Sequence, residues 1–247
     1  MKIIYIMWQR QLIRYWRSRV RMIGALGQPI LFFLALGFGF GPVYAKAGGG
    51  NYIQFLAPGI MAMTILFTSM FAGMEVIWDR QFGFLKETMV APVARWKIMF
   101  GKTLGGATIA VIQAIIVFIM TLFFGFSPNW FLLPVALLFM FVLAIAFTAF
   151  GISIASKLED MQAFPIIMNF LVMPIFFLSG ALFPLDNLPK AIDIITKIDP
   201  LSYGVDGLRG ALVNASHYGM ALDFLALSAI ALILIGLGTY LFNKIQV

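Results

Sequence analysis

Long apolar segments without charge alternate with short polar segments along the chain. Met22–Ala45, Thr103–Ser156 and Met161–Leu185 contain no Asp, Glu, Lys or Arg. A helix needs about 20 mostly apolar residues to cross a bilayer, so Thr103–Ser156 is too long for one crossing, and the turn residues at 126–129 divide it. The pattern predicts an all-α, polytopic membrane protein. Its six transmembrane helices are expected at about 22–40, 53–77, 103–125, 131–155, 161–182 and 224–243.

Two segments depart from this pattern. In residues 1–21, basic side chains recur at helical spacing on one face, and Trp8 and Leu12 lie on another. The basic face consists of Arg10, Arg14, Arg17 and Arg21. This is typical of an amphipathic helix in the headgroup layer, and plain basic anchoring of the N-terminus is the alternative. In Phe183–Asp223, prolines, glycines and apolar patches predict short re-entrant helices that dip into or lie on the outer interface before the last span.

The distribution of Lys and Arg predicts the orientation. With six spans and a cytoplasmic N-terminus, 13 of the 17 Lys and Arg residues lie in the cytoplasm and four lie outside. The opposite orientation inverts these numbers, so the positive-inside rule favours a multi-pass protein with both termini in the cytoplasm. We therefore assign the net charge of +7 to topology, and we expect no nucleic-acid partner.

Candidate chemistry within the chain is sparse. There is no cysteine and one histidine, so we expect no metal site of Cys or His ligands within one chain. Gly101-Lys102-Thr103 resembles the end of a phosphate-binding loop, but that motif requires a glycine where Trp96 stands. The predicted spans hold almost no ionisable group, and Glu75 sits at a helix end, which does not favour an ion-coupled carrier. We predict no catalytic residue and an energy source outside this chain.

The segment Trp78–Lys102 between the second and third spans is the main polar loop. It carries five basic and two acidic side chains and is flanked on both sides by apolar spans. A charged loop of this length in a chain of apolar segments is expected to bind a soluble partner.

This loop and a second stretch resemble the type-2 exporter permeases of the ATP-binding cassette (ABC) transporters, in particular the compact drug-resistance and nodulation-type members. The loop residues that carry the likeness are Asp79, Arg80, Phe82, Gly83, Phe84, Leu85, Lys86, Glu87, Pro92, Arg95 and Lys102. Those that follow the fifth span are Leu188, Pro189, Pro200, Tyr203 and Arg209. The likeness covers essentially the whole chain, which is expected to form one permease domain over residues 1–247.

The resemblance implies a half-transporter in the plasma (inner) membrane of a prokaryote. Two permease chains, expected as a homodimer, would pair with two ATPase subunits that bind ATP and Mg²⁺, so this chain would hold no cofactor. A coupling helix would lie within Gly83–Arg95, with apolar side chains in an ATPase groove and polar ones at its rim. The groove side chains would be Phe82, Phe84 and Leu85, and the rim side chains Lys86, Glu87 and Arg95. The N-terminal helix would add a second contact.

The expected function is export of an amphiphilic or hydrophobic substrate, as in multidrug efflux. Phe (26) and Met (15) are abundant, and such surfaces adapt to varied apolar shapes, although these residues also serve to face lipid or pack helices. Two alternatives stay open. One is a permease for polysaccharide or glycolipid export, and the other is a self-contained channel or secondary carrier.

Overall fold

The computed structural model describes residues 2–48, 50–90, 93–158, 160–185 and 189–245, except for the side chains of Met89 and Val90. Every regular element in this part of the chain is helical, and it contains no strand, which confirms the all-α class. The helices are α1 (Lys2–Arg17), α2 (Arg19–Lys46), α3 (Tyr52–Phe71), α4 (Met74–Gln81), α5 (Phe84–Val90), α6 (Arg95–Phe123), α7 (Leu133–Ala155), α8 (Ala163–Leu178), α9 (Lys190–Ile198), α10 (Pro200–Val213) and α11 (Met220–Asn243), with a 3₁₀ turn (Trp130–Leu132) before α7.

Five helical segments of the described chain are long and apolar enough to cross a membrane. They are α2, the α3–α4 segment, α6, α7 with its preceding turn, and α11. These correspond to the first four predicted spans and the sixth. The helix predicted as the fifth span, α8, is apolar but has 16 residues, a length of about 24 Å against about 30 Å of hydrocarbon. A sixth crossing at α8 stays a prediction.

The ends of several helices differ from the predicted spans. α2 continues through its Gly-rich stretch to Lys46, and α6 begins at Arg95, well before residue 103. Both differences have one reason. Glycine and charged residues interrupt the apolar pattern of the sequence, but the backbone hydrogen bonds of a helix can continue through them. The predicted span 53–77 is interrupted between α3 and α4, where a side chain on Gly73 would overlap the backbone of Gly151 in α7.

α3 lies at the centre of the helix bundle, packed against α2, α6, α7 and α10. Close backbone contacts fix its position. A Cβ on Gly59 would overlap the carbonyl of Ala181, and a Cβ on Gly151 would lie 2.5 Å from the Met70 carbonyl oxygen. α4, α5 and the start of α6 follow one another along the chain and lie together at one end of the bundle, called here the α5 end.

The segment Phe183–Asp223 contains α9 and α10, and α10 is a core helix of the bundle. It is buried between α3, α7 and α11. It runs antiparallel to α7: Gly207 lies against the Phe139 ring, and further along, the Asn129 backbone N–H donates to the Leu212 carbonyl at 2.7 Å. Re-entry of α9 and α10 into the bilayer stays a prediction.

Candidate functional site

Asp79, near the end of α4, lies at the centre of a cluster of charges at the α5 end. Its side chain is buried, and Arg10 donates two hydrogen bonds to its carboxylate at 2.9 and 3.1 Å. Arg14 lies 3.4 Å from the same carboxylate, and the Lys102 ammonium also contacts it. Lys102 is 2% exposed and lies inside α6. Because charge-assisted hydrogen bonds are stronger than neutral ones, this Asp79 cluster ties α1, α4 and α6 together.

α5 is held against the Asp79 cluster by its first residues. It follows α4 through a turn at Gly83, whose φ of +77° disfavours other residues. The Arg10 guanidinium lies 3.6 Å from the centroid of the Phe84 ring, a cation–π contact. Leu85 is buried in the chain's own core, whereas Phe82 is 78% exposed. Of the three apolar side chains predicted to enter a partner's groove, Phe82 is the one presented on the surface.

The polar residues predicted for the rim of this loop occupy different places. Lys86 and Glu87 are exposed on α5, and Arg80 is half-buried on α4. Arg95 donates at 2.7 and 3.1 Å to two backbone carbonyls at the end of α11, so it caps that helix. Pro92 lies outside the described residues. The structure therefore places exposed polar groups on α5 itself, beside Phe82.

α1 packs lengthwise against α6 and is not separate from the bundle. A Cβ on Gly101 would come within 2.7 Å of the Met7 Cβ, and one on Gly105 within 2.6 Å of the Gln11 Cβ. The contact positions advance along both helices, so α1 runs alongside the first half of α6. The two glycines, four residues apart, form the groove that receives α1.

The four arginines of the predicted interface helix fall into three environments. Arg10 and Arg14 belong to the Asp79 cluster, while Arg17 ends α1 and is exposed. Arg21 belongs to α2, because the helix predicted over 1–21 is interrupted at residue 18. Its guanidinium donates to the Glu75 carboxylate at 2.8 Å, and Glu75 is buried. This pair fastens the start of α2 to α4.

A neutral polar network lies behind these ion pairs. Gln113 of α6 donates to the Tyr15 hydroxyl at 2.9 Å and accepts from the Thr68 hydroxyl at 2.6 Å. Burial raises the pKa of the Tyr15 hydroxyl, which therefore stays protonated at neutral pH. The sequence analysis missed this network. The sequence does contain an indication of it: Gln113 is an amide inside a predicted uncharged span, and a buried amide needs a hydrogen-bond partner.

Three of the residues after the fifth span that carry the family likeness lie at the ends of α9 and α10 or join these two helices. Pro189 precedes α9, and Pro200 opens α10, where a missing backbone N–H costs nothing. The Tyr203 hydroxyl donates to the Lys197 carbonyl at 2.6 Å, which links the two helices. Leu188 lies outside the described residues.

Two charged residues of α10 are buried in the bundle. Arg209 is 8% exposed, donates to the Gly180 carbonyl at 3.0 Å, and lies 3.9 Å from the centroid of the Phe55 ring. Asp206, 2% exposed, accepts from the backbone N–H of Tyr218 at 2.7 Å. Sequence reasoning placed Arg209 on the outer side, in a segment of short helices, and did not single out Asp206. The partners of Arg209 come from distant parts of the chain, whereas Asp206 binds the backbone of the turn that follows α10.

The comparisons with known proteins agree with this architecture. A family model described as ABC-2 type transporter matches residues 3–213. The chain is 30% identical over 214 residues to putative transport permease ycf38 of Cyanophora paradoxa, covering 83% of this chain and 72% of that protein. It is 26% identical over 210 residues to nodulation protein J of Rhizobium leguminosarum bv. trifolii (84% and 80% covered), and 24% identical over 240 residues to nodulation protein J of Rhizobium meliloti (strain 1021) (96% and 91% covered). The chain therefore belongs to the ABC-2 type transporter family and is the membrane-spanning permease subunit of a transporter.

Proposed function

We propose that this chain forms the membrane half of an ATP-driven exporter and that α5 receives the motion of a separate ATPase subunit. The observation that carries the proposal is the double role of α5. The turn before it presents Phe82 at the surface and α5 presents Lys86, while Arg10 bridges Phe84 on α5 and Asp79 on α4. A helix that is exposed on one side and held to the bundle on the other, here through the Arg10 guanidinium, can transmit the movement of a bound partner.

The contacts supply a path from α5 into the bundle. Displacement of α5 moves Phe84 and, with it, the Arg10 side chain of α1. Arg10 and Lys102 share the carboxylate of Asp79, so the same displacement acts on α6. α1 also packs into the glycine groove of α6. Because packed helices deform little, a small movement of α5 shifts α1, α4 and α6 together.

The functional assembly we propose is a homodimer of this chain with two ATPase subunits, which bind ATP and Mg²⁺. The dimer switches between inner and outer access and exports an amphiphilic or hydrophobic substrate. Both termini lie in the cytoplasm of a prokaryotic cell, as the excess of Lys and Arg on that side supports. The abundance of Phe and Met supports an adaptable apolar surface for the substrate.

Co-expression with a candidate ATPase subunit, followed by pull-down, tests the coupling role. Replacing Gly83–Glu87 with a Gly/Ser linker removes the surface of α5. The matched control replaces the five residues 47–51, between α2 and α3, in the same way. We expect the α5 variant to lose both ATPase co-purification and ATP-dependent export, and the control to keep both. An α5 variant that binds the ATPase and exports normally would show that the coupling role is wrong.

Two further measurements separate the substrate and energy alternatives. ATP turnover by the reconstituted complex, measured with hydrophobic cations and with lipid-linked glycans, distinguishes drug-like substrates from polysaccharide or glycolipid export. Stimulation by the cations supports the proposal, and stimulation by the glycans alone supports the alternative. Gradient-driven flux by this chain alone, without ATPase or ATP, would instead identify a channel or secondary carrier.

A further inference from the structure

A cavity of about 410 Å³ lies where α1 bends into α2, enclosed by the α3–α4 segment and α6. This volume is within the range of small-molecule sites, about 300–1,000 Å³. Its lining includes Tyr15, Arg21, Gly24, Glu75, Trp78 and Gln113. The cavity borders the helices of the Asp79 cluster, but none of the residues of that cluster lines it.

Polar groups line this cavity at two levels. The ion pair of Arg21 and Glu75 lies toward the α5 end. The network of Gln113 and Tyr15 lies further from that end. α6 runs away from the α5 end, and at a rise of 1.5 Å per residue Gln113 lies about 10 Å beyond Gly106, which also lines the cavity. The cavity thus has a charged end and an end that carries hydroxyl and amide groups.

The cavity is open to the side along α2. Gly24, Ala25 and Gln28 line it and are exposed, and most of α2 is not covered by other helices. The remaining lining is largely aromatic and aliphatic, with Phe67 and Phe71 from α3. A molecule of the surrounding bilayer can therefore enter between α2 and the rest of the bundle without passing through the protein.

We infer that this cavity binds one phospholipid with a zwitterionic headgroup. The charged end holds one cation and one anion, so it complements a headgroup that carries both signs. Arg21 uses one hydrogen bond on Glu75 and is about one-third exposed, so other N–H donors can face a phosphate. The Glu75 carboxylate suits an ammonium group, and Trp78, whose ring centroid lies 5.5 Å from the Arg14 guanidinium, borders the same end.

The other end of the cavity fits the remainder of the same lipid. Tyr15 receives a hydrogen bond from Gln113, so its own hydroxyl hydrogen is available for an ester carbonyl. Phe67 and Phe71 lie on α3 on either side of Thr68, which donates to Gln113, and their rings suit an acyl chain. The cavity thus offers charged groups for a headgroup, a hydroxyl for a glycerol ester and aromatic rings for a chain, which are the three parts of a phospholipid.

Native mass spectrometry of the purified full chain tests this inference. The protein is supplied with equal amounts of phosphatidylethanolamine and phosphatidylglycerol that carry the same acyl chains. A Cβ on Gly24 meets no atom within 4 Å, so Gly24→Leu fills the cavity without a clash. Gly27 of the same helix has equal free space and does not line the cavity, so Gly27→Leu is the matched control. The double variant Arg21→Gln/Glu75→Gln removes both charges together.

We expect the wild type to retain one phosphatidylethanolamine per chain in preference to phosphatidylglycerol. Gly24→Leu should lower the retained fraction about tenfold or more, and Gly27→Leu should not change it. The double variant should lose the preference and bind about tenfold more weakly, as the loss of a charged hydrogen bond implies. Equal retention of both lipids by the wild type, retention of neither, or unchanged retention in Gly24→Leu would each overturn the inference.

Discussion

Replacing Asp79 with asparagine isolates the energetic role of the charge cluster. Asparagine keeps the shape of the side chain but removes the charge that faces Arg10, Arg14 and Lys102. Lys102 is then left as a cation that is 2% exposed, with its partner carboxylate gone. The two arginines are 28% and 34% exposed, so they can turn toward solvent.

The expected cost of Asp79→Asn comes mainly from Lys102. Breaking a buried ion pair by removing one partner costs about 3–5 kcal/mol, because the other charge stays buried. The partly exposed arginines add at most about 1 kcal/mol each. The double variant Asp79→Asn/Lys102→Met removes the stranded cation and should regain most of the loss, since replacing a buried pair with apolar groups is often neutral.

Unfolding in mixed micelles with increasing dodecyl sulfate measures these free energies of unfolding. Hydrogen–deuterium exchange over Lys2–Arg17 reports in parallel whether α1 leaves α6, and we expect faster exchange in Asp79→Asn than in the double variant. A free energy of unfolding for Asp79→Asn within about 1 kcal/mol of the wild type, or a double variant no more stable than the single one, would refute the reasoning.

Three other predictions follow from the packing and the topology. Gly105→Leu should destabilise the fold by about 1–3 kcal/mol and release α1, because its side chain would overlap Gln11, whereas Gly39→Leu has free space and should be neutral in the same unfolding assay. Arg209→Met should cost about 1.5–3 kcal/mol in that assay, because buried carbonyls lose a charged donor; a value near zero would contradict the bonds described. A reporter fused after Val247 should be active in the cytoplasm, and activity outside would overturn the orientation.

The apolar spans could be predicted from the sequence because their signal is local. The span predicted at 131–155 corresponds to α7, Leu133–Ala155, since turn residues precede it and Lys157 follows it. The start of α6 was missed because helices continue past the bilayer into charged sequence. The loop Trp78–Lys102 was located, but its division into the end of α4, α5 and the start of α6 depends on the turn at Gly83.

The geometry of the site could not be predicted, because it depends on pairing between distant helices. Lys102 was predicted only as part of the polar loop, and the carboxylate that it contacts comes from Asp79 on another helix. Leu85 was expected to face a partner, and its 0% exposure results from packing within the chain. Spacing along one segment identifies a helical face, but it does not identify what covers that face.

The central claim, that α5 and the turn before it bind the ATPase, is tested most directly by Phe82→Ser, a change in that turn. Phe82 is 78% exposed, so the variant should fold normally. Phe131, 87% exposed and on the connection that follows the other end of α6, provides the matched control Phe131→Ser. The measurement is the Kd of the purified ATPase for this chain in nanodiscs. We expect Phe82→Ser to weaken binding about 30-fold or more, as for a central aromatic contact, and Phe131→Ser to leave it unchanged. Equal affinities for the wild type and Phe82→Ser would contradict the claim.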